Sequence, residues 1–312
     1  MTMATATPST RRSSSTSHST KPDQSENITL APVSTANEAR ATDIEKAPSQ
    51  PPIDDYDGPD DPLNPINWPM VKRGFHVFPP AFISLVATLG SSIYTPSFPE
   101  IMKIYGVSST VALLPLSVYV LALALGPLLG APLSETYGRN FVYRLGPPIA
   151  IAFTLGGAFS TNFAALVVCR FFAGVFFSPV LAIGAGTNAD AFRPHERALP
   201  SVFYVIAPFI GSPLGPLIGG FVATRKGWKW VQLTIVFFAV AAWAFMFLMT
   251  ETHKGTILKL RNQRLGLPPP VEKSGSRAER AKFLVTVTLF RPIHMLTTEP
   301  IVAFFSIYTA FK

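Results

Sequence analysis

Between residues 75 and 249 the chain returns repeatedly to stretches of about twenty residues that are almost wholly apolar. A stretch of that length, wound as a helix, crosses the roughly 30 Å hydrocarbon core of a bilayer. It has to be a helix there, because no water is present to satisfy the peptide groups. The spans predicted on this ground are 75–98, 109–133, 141–160, 163–186, 199–222 and 230–249. The fold class that follows is an all-α membrane protein. Composition supports it through its distribution: apolar residues make up 48% of the chain and charged residues 14%, and the charges gather between the stretches.

A formal net charge of +8 could point to a nucleic-acid binder, but Lys and Arg sit mainly in the short connections between spans, so the basic balance is topological and no nucleic-acid partner is expected. The single cysteine, Cys169, lies in an apolar stretch beside Arg170 and supports neither a disulfide framework nor a cysteine-rich metal site. Residues 1–70 read as a disordered tail, opening Ser/Thr-rich at Ser13 to Ser17 and ending acidic and proline-rich. The serine run is a solvated spacer or a phosphorylation target. Arg11 and Arg12 precede no apolar core, so the tail is not read as a cleavable signal.

Orientation follows from Lys and Arg near the span ends. With the tail in the cytoplasm, the inner flanks carry Lys72, Arg73, Arg139, Arg144, Arg193 and Arg197 together with the basic stretch 251–298. The outer flanks carry Lys103 and a cluster at Arg225, Lys226 and Lys229 that violates the rule. The sequon at Asn27 would then stay unglycosylated. The expected organisation is a tail over 1–70, a six-helix bundle over 71–250, a cytoplasmic central loop over 251–298 with a helical start near Thr256 to Arg261, and a truncated seventh helix over 299–312.

Three motifs stand within this frame. Gly130 to Asn140 between the second and third spans places Glu135 before Gly138 and Arg139, where a tight turn needs glycine and an acid can pair with the arginine or with a helix end. Arg170 lies inside the fourth span, where insertion costs about 2.5–3.5 kcal/mol, so it should face the bundle interior or a wet cavity. In the fifth span Gly211, Gly215 and Gly219 recur every fourth residue on one helix face, with Pro213, Pro216 and Gly220 among them, which allows close approach of another helix.

The loop motif resembles the signature of the major facilitator superfamily, departing from it at Ala131, Thr136 and Asn140. Arg170 resembles that family's helix-four arginine, and Gly211 to Gly220 resembles its antiporter signature, with Val202 where an upstream glycine is usual. Asp61 to Trp68, Ser91 to Glu100, Gly184 to Asp190, Arg291 to Ile293 and Glu299 to Ile301 are similar to segments of fungal drug:proton antiporters. The resemblance implies the amino-terminal six-helix half of a twelve-helix transporter, in which Arg170 takes part in proton coupling or holds the bundle together on backbone carbonyls of the first span. It also implies export of small organic molecules such as drugs, toxic metabolites or polyamines, with uptake as the alternative direction and the plasma membrane as the expected location. Tyr94 and Tyr119 are the substrate-cavity candidates, and packing aromatics are the other reading of both.

The same resemblance makes a small-molecule substrate, protons and the lipid bilayer the expected partners, along with a second half-transporter. Glu135 and the Gly215 face are expected to meet that second half, and a chain lacking it is expected not to transport. No nucleotide-binding pattern occurs, so neither an enzyme nor an ATP-driven pump is expected, and no cofactor or metal. The histidines His18, His76, His195, His253 and His294 lack ligand spacing and read as solvated.

Overall fold

The computed structural model describes residues 52–268 and 291–310. Its helices are α1 Met70–Ser92, α2 Phe98–Tyr105, α3 Ser109–Ala112, α4 Leu114–Tyr137, α5 Arg139–Ala158, α6 Phe163–Phe177, α7 Pro179–Ala191, α8 Ala198–Lys226, α9 Trp228–Met246, α10 Lys254–Arg264, α11 Arg291–Thr298 and α12 Pro300–Ala310. No strand occurs among the described residues.

Helices long and apolar enough to cross a membrane cover Met70–Tyr105, Ser109–Tyr137, Phe163–Ala191, Ala198–Lys226 and Trp228–Met246. The predicted span 141–160 is also a helix, α5, 20 residues long, but Arg139, Arg144 and the pair Pro147 and Pro148 make it less apolar than those five. The predicted seventh segment is α12, an 11-residue helix of about 17 Å at ~1.5 Å per residue.

The first span is interrupted. α1 stops at Ser92, a 3-10 turn covers Thr95–Ser97, and α2 starts at Phe98. Pro96 and Pro99 lack the N–H groups that would continue an i to i−4 ladder through this region. The fourth span breaks in the same way at Ser178, before Pro179 opens α7.

α1 lies inside the bundle, packed along α8 and touching α7 and α9, while α5 bridges α6 and α9. Ile83, Val86 and Leu89 from α1 meet Val142, Ile151, Phe177, Ile183, Val231 and Ile235 in one buried cluster. The opposite faces of α4 and α8 stay exposed and apolar, with Leu121, Leu125 and Leu129 on α4 and Phe203, Phe209 and Phe221 on α8.

The glycine face of α8 is occupied, and the expectation that it awaits a second half is corrected. A methyl group on Gly211 would stand 3.2 Å from the Leu85 carbonyl carbon, on Gly215 2.7 Å from the Ile93 nitrogen, and on Gly219 3.0 Å from the Ile93 side chain. All three partners belong to the first span, and Ser92 Oγ donates across the same seam to the Ser212 carbonyl at 2.6 Å. Gly220, with nothing within 4 Å of such a methyl, and the exposed Pro216 lie off this face.

Two further readings change. The expected disorder does not hold over residues 52–68, which are fastened to α10, while the rest of the expected tail lies outside the described residues. Asn262 exchanges hydrogen bonds with the Ile53 backbone at 3.3 and 3.2 Å, Lys254 pairs with Asp55 at 2.7 Å, and Arg261 pairs with Asp57 and, at 3.1 Å, with Asp61. Hydrogen bonds from the Asp57 and Leu63 backbone, then Arg261, hold the Asp61 carboxyl below the usual aspartate range, and burial, followed by nearby carboxylates, pushes the Tyr56 phenol up to about 12. His76 is buried rather than solvated, with its ring nitrogens at 2.7 Å from the Lys72 carbonyl and 3.1 Å from the Thr250 hydroxyl.

The rule-breaking cluster at Arg225 and Lys226 also gains a physical account. Both residues occupy the last turn of α8, where the helix dipole favours cations.

Candidate functional site

α6 carries Arg170 into the interior, where it is 2% exposed. Because α1 stops at Ser92, the Gly90 carbonyl is among the last four of that helix, which lack intrahelical donors in a regular helix. Arg170 Nη1 donates to it at 2.8 Å, so the guanidinium caps the broken end of the first span, where a cation is also favoured by the dipole. From α9 the amide of the buried Gln232 lies against Arg170, and because a guanidinium offers only donors its oxygen is assigned to that side, where it accepts from Nη2 at 2.9 Å and Nε at 3.1 Å. Hydrogen bonds to a charged group contribute about 1.5–3 kcal/mol each, so together these are of the size needed to offset the ~2.5–3.5 kcal/mol insertion cost.

The guanidinium carbon stands 4.9 Å from the Tyr94 ring centre and 5.4 Å from that of Tyr119, close enough for cation–π attraction. Both tyrosines are 1% exposed. They therefore sit inside the bundle against Arg170 and not on the wall of an open cavity. Tyr119 donates to the Ala87 carbonyl at 2.8 Å, whereas the Tyr94 hydroxyl is buried without a partner. Among the described residues no carboxylate pairs with Arg170.

A second cluster forms around the loop motif. Gly138 has φ +98°, a value that favours glycine, and serves as N-cap of α5 with no side chain to offer. The missing cap comes from Glu251 beyond α9. Its carboxylate accepts from the backbone nitrogens of Arg139 at 2.9 Å and Asn140 at 3.1 Å, and from those of Thr252 and His253 in its own turn. A negative charge at a helix N-terminus is also favoured by the dipole.

The Arg139 side chain pairs with Asp190 at the end of α7 (3.2 Å), accepts no help from Glu135, and donates to Ser134 at 2.9 Å. It lies across Gly186, where a methyl group would stand 2.8 Å from Nη2. Glu135 itself is exposed. The acids that engage this turn are thus Asp190 and Glu251, because Glu135 sits on the outer side of the last turn of α4.

The opposite end of the bundle repeats the device. Gly227, φ +84°, joins α8 to α9, and Glu100 from α2 accepts from the Trp228 nitrogen at 2.7 Å. Gln232, Glu251 and Glu100 were not singled out from sequence. For Gln232 a signal existed, an isolated amide in an otherwise apolar span, whereas Glu100 stood only at the end of the Ser91 to Glu100 segment and Glu251 only at the start of the central loop.

The Major Facilitator Superfamily profile matches residues 81–311. Polyamine transporter 4 of Saccharomyces cerevisiae is 40% identical over 83% of this chain and 40% of its own length, and efflux pump radE of Floropilus chiversii is 35% identical over 87% of this chain and 51% of its own. The chain thus spans about half the length of the curated relatives it matches. In fold it is similar to the proton:xylose symporter XylE (TM-score 0.53, 12% identity, 77% of this chain and 57% of that one) and to the peptide transporter POT in complex with sulfate (TM-score 0.52, 15% identity, 73% and 46%). Its relatives are transporters and not enzymes, and its apolar helices make it a multi-pass membrane protein. On the profile match and these identities, the chain belongs to the Major Facilitator Superfamily.

Proposed function

We propose that this chain works as the amino-terminal six-helix half of a proton-coupled exporter of small organic molecules. The observation that carries the reading is Arg170, a guanidinium kept at the crossing of α1, α6 and α9 without a carboxylate. So costly a group inside a span is retained for transport chemistry more readily than for packing. Arg170 is the coupling residue, with Tyr94 and Tyr119 acting on it through their rings and not as substrate contacts. Gly138 and Arg139, tied to Glu251 and Asp190, form the turn that rocks as one body with the bundle, with Glu135 facing outward from it. A fungal relative named an efflux pump and the antiporter-like stretch at Gly211, Gly215, Pro216, Gly219 and Gly220 support export, and the relative named a polyamine transporter supports organic cations among the substrates.

α5 serves as the third of six crossings, which completes the bundle, and α12 begins the seventh. The contacts between residues 53–61 and α10 support this count, since those segments flank the bundle and must share one side of the membrane. Only an even number of crossings allows that. The shared side is the cytoplasm on the Lys and Arg distribution, and the membrane is the plasma membrane.

The test uses sealed inside-out vesicles containing the chain, alone or co-expressed with the remaining half of the Saccharomyces relative, under an imposed pH gradient. Accumulation of labelled spermidine or a fluorescent cation is expected from the pair and not from the chain alone. Arg170→Gln should abolish it. Accumulation that ignores both the gradient and Arg170 overturns the reading.

A further inference from the structure

One amide oxygen on Gln232 grips the Nε–Nη2 edge of Arg170, the edge that a carboxylate grips with two oxygens in a bidentate ion pair. Among the described residues the other groups against the guanidinium are also neutral: the Gly90 carbonyl and the Tyr94 ring from the first span, and the Tyr119 ring from α4. Gln232 is itself 1% exposed. The arrangement fixes where the guanidinium points while leaving its charge uncompensated. A glutamate, of nearly the same shape, would fix it equally well and cancel the charge.

We propose that Gln232 is the positioning residue of Arg170: it seats the guanidinium on the broken end of the first span and, being neutral, leaves the positive charge free to respond to protonation elsewhere in the transport cycle. The second half of this statement rests on the proposed transport function, and the first does not.

Two measurements separate them. The first is the melting temperature of the purified full chain in micelles from about pH 5 to 8. In Gln232→Glu the new carboxyl group, seated beside the guanidinium, stays ionised throughout, so the melting temperature should be at or above the parent's and flat across that range. Gln232→Leu, which strands two buried donors, should melt lower at every pH. In the double variant Gln232→Glu, Arg170→Gln the carboxyl group is buried without a cation, and the melting temperature should fall as pH rises and forces it to ionise. The same fall in Gln232→Glu alone would show that Gln232 does not face Arg170 and overturn the positioning role, whether or not the chain transports.

The second measurement is transport by the paired halves. Gln232→Glu should lower kcat by about ten-fold or more with KM little changed, because substrate binding is intact and the cycle is held. An unchanged kcat alongside the expected melting profile overturns the charge argument and leaves the positioning role. An absence of transport in the parent sinks the proposed function instead, with the positioning decided by the melting profile.

Discussion

Replacing Gly215 and Gly220 by alanine, one at a time, isolates the cost of the α1–α8 seam. Both positions lie in α8, five residues apart, so the gain in helix propensity from glycine to alanine, about 1 kcal/mol, is common to the two variants and cancels in their difference. What remains is the fate of one methyl group. On Gly215 it would stand 2.7 Å from the Ile93 nitrogen and 2.9 Å from the Ser92 carbonyl carbon. Both are backbone atoms of the first span, so no side chain can swing aside. On Gly220 it would meet nothing within 4 Å. Overpacking of this kind costs about 1–3 kcal/mol, and Gly215→Ala should therefore be less stable than Gly220→Ala by that amount, with Gly220→Ala at or slightly above the parent. Gly215→Leu should fail to assemble, while Leu217→Ala, at a residue 57% exposed, should be close to silent. The assay is unfolding in micelles by detergent titration, followed by circular dichroism at the helical bands. Equal stability of the two alanine variants would refute the close crossing.

Two further outcomes follow from the ends of the bundle. Glu251→Ala removes the acceptor of the first two α5 nitrogens, and a lost N-cap costs about 0.5–2 kcal/mol, so hydrogen exchange should speed up at the start of α5; Glu135→Gln should leave it unchanged, and an equal effect of both would contradict the assignment. The clasp between residues 52–68 and α10 should depend on pH. Asp55 is held below its ordinary value of 3.8 by the Lys254 hydrogen bond and Asp61 by backbone hydrogen bonds, so their contribution is complete above that value and is lost as pH falls below it. Limited proteolysis near Asp57 should become faster on acidification through this window and should be fast at neutral pH in Arg261→Gln. Protease resistance that survives both changes would argue against the clasp.

The sequence was enough to establish membrane helices, because the cost of an unsatisfied peptide group in hydrocarbon is paid locally, span by span, and can be read from length and apolarity alone. It also marked Arg170, Gly138 and the glycine face, since a charge in a span and glycines at fixed spacing are unusual on their own terms. Their partners were a different matter. Whether the Gly215 face met α1 or a second half, whether Arg139 took Glu135 or Asp190, and whether Arg170 found a carboxylate or an amide all depend on which helices lie side by side. Gln232 stands 62 positions along the chain from Arg170 and Glu251 112 from Arg139, and no local pattern encodes such distances. Arg139 shows why: Glu135 is four residues away, one helical turn, but it lies on the outer side of α4, and only the packing of α7 against α4 and α5 brings the Asp190 carboxylate within 3.2 Å.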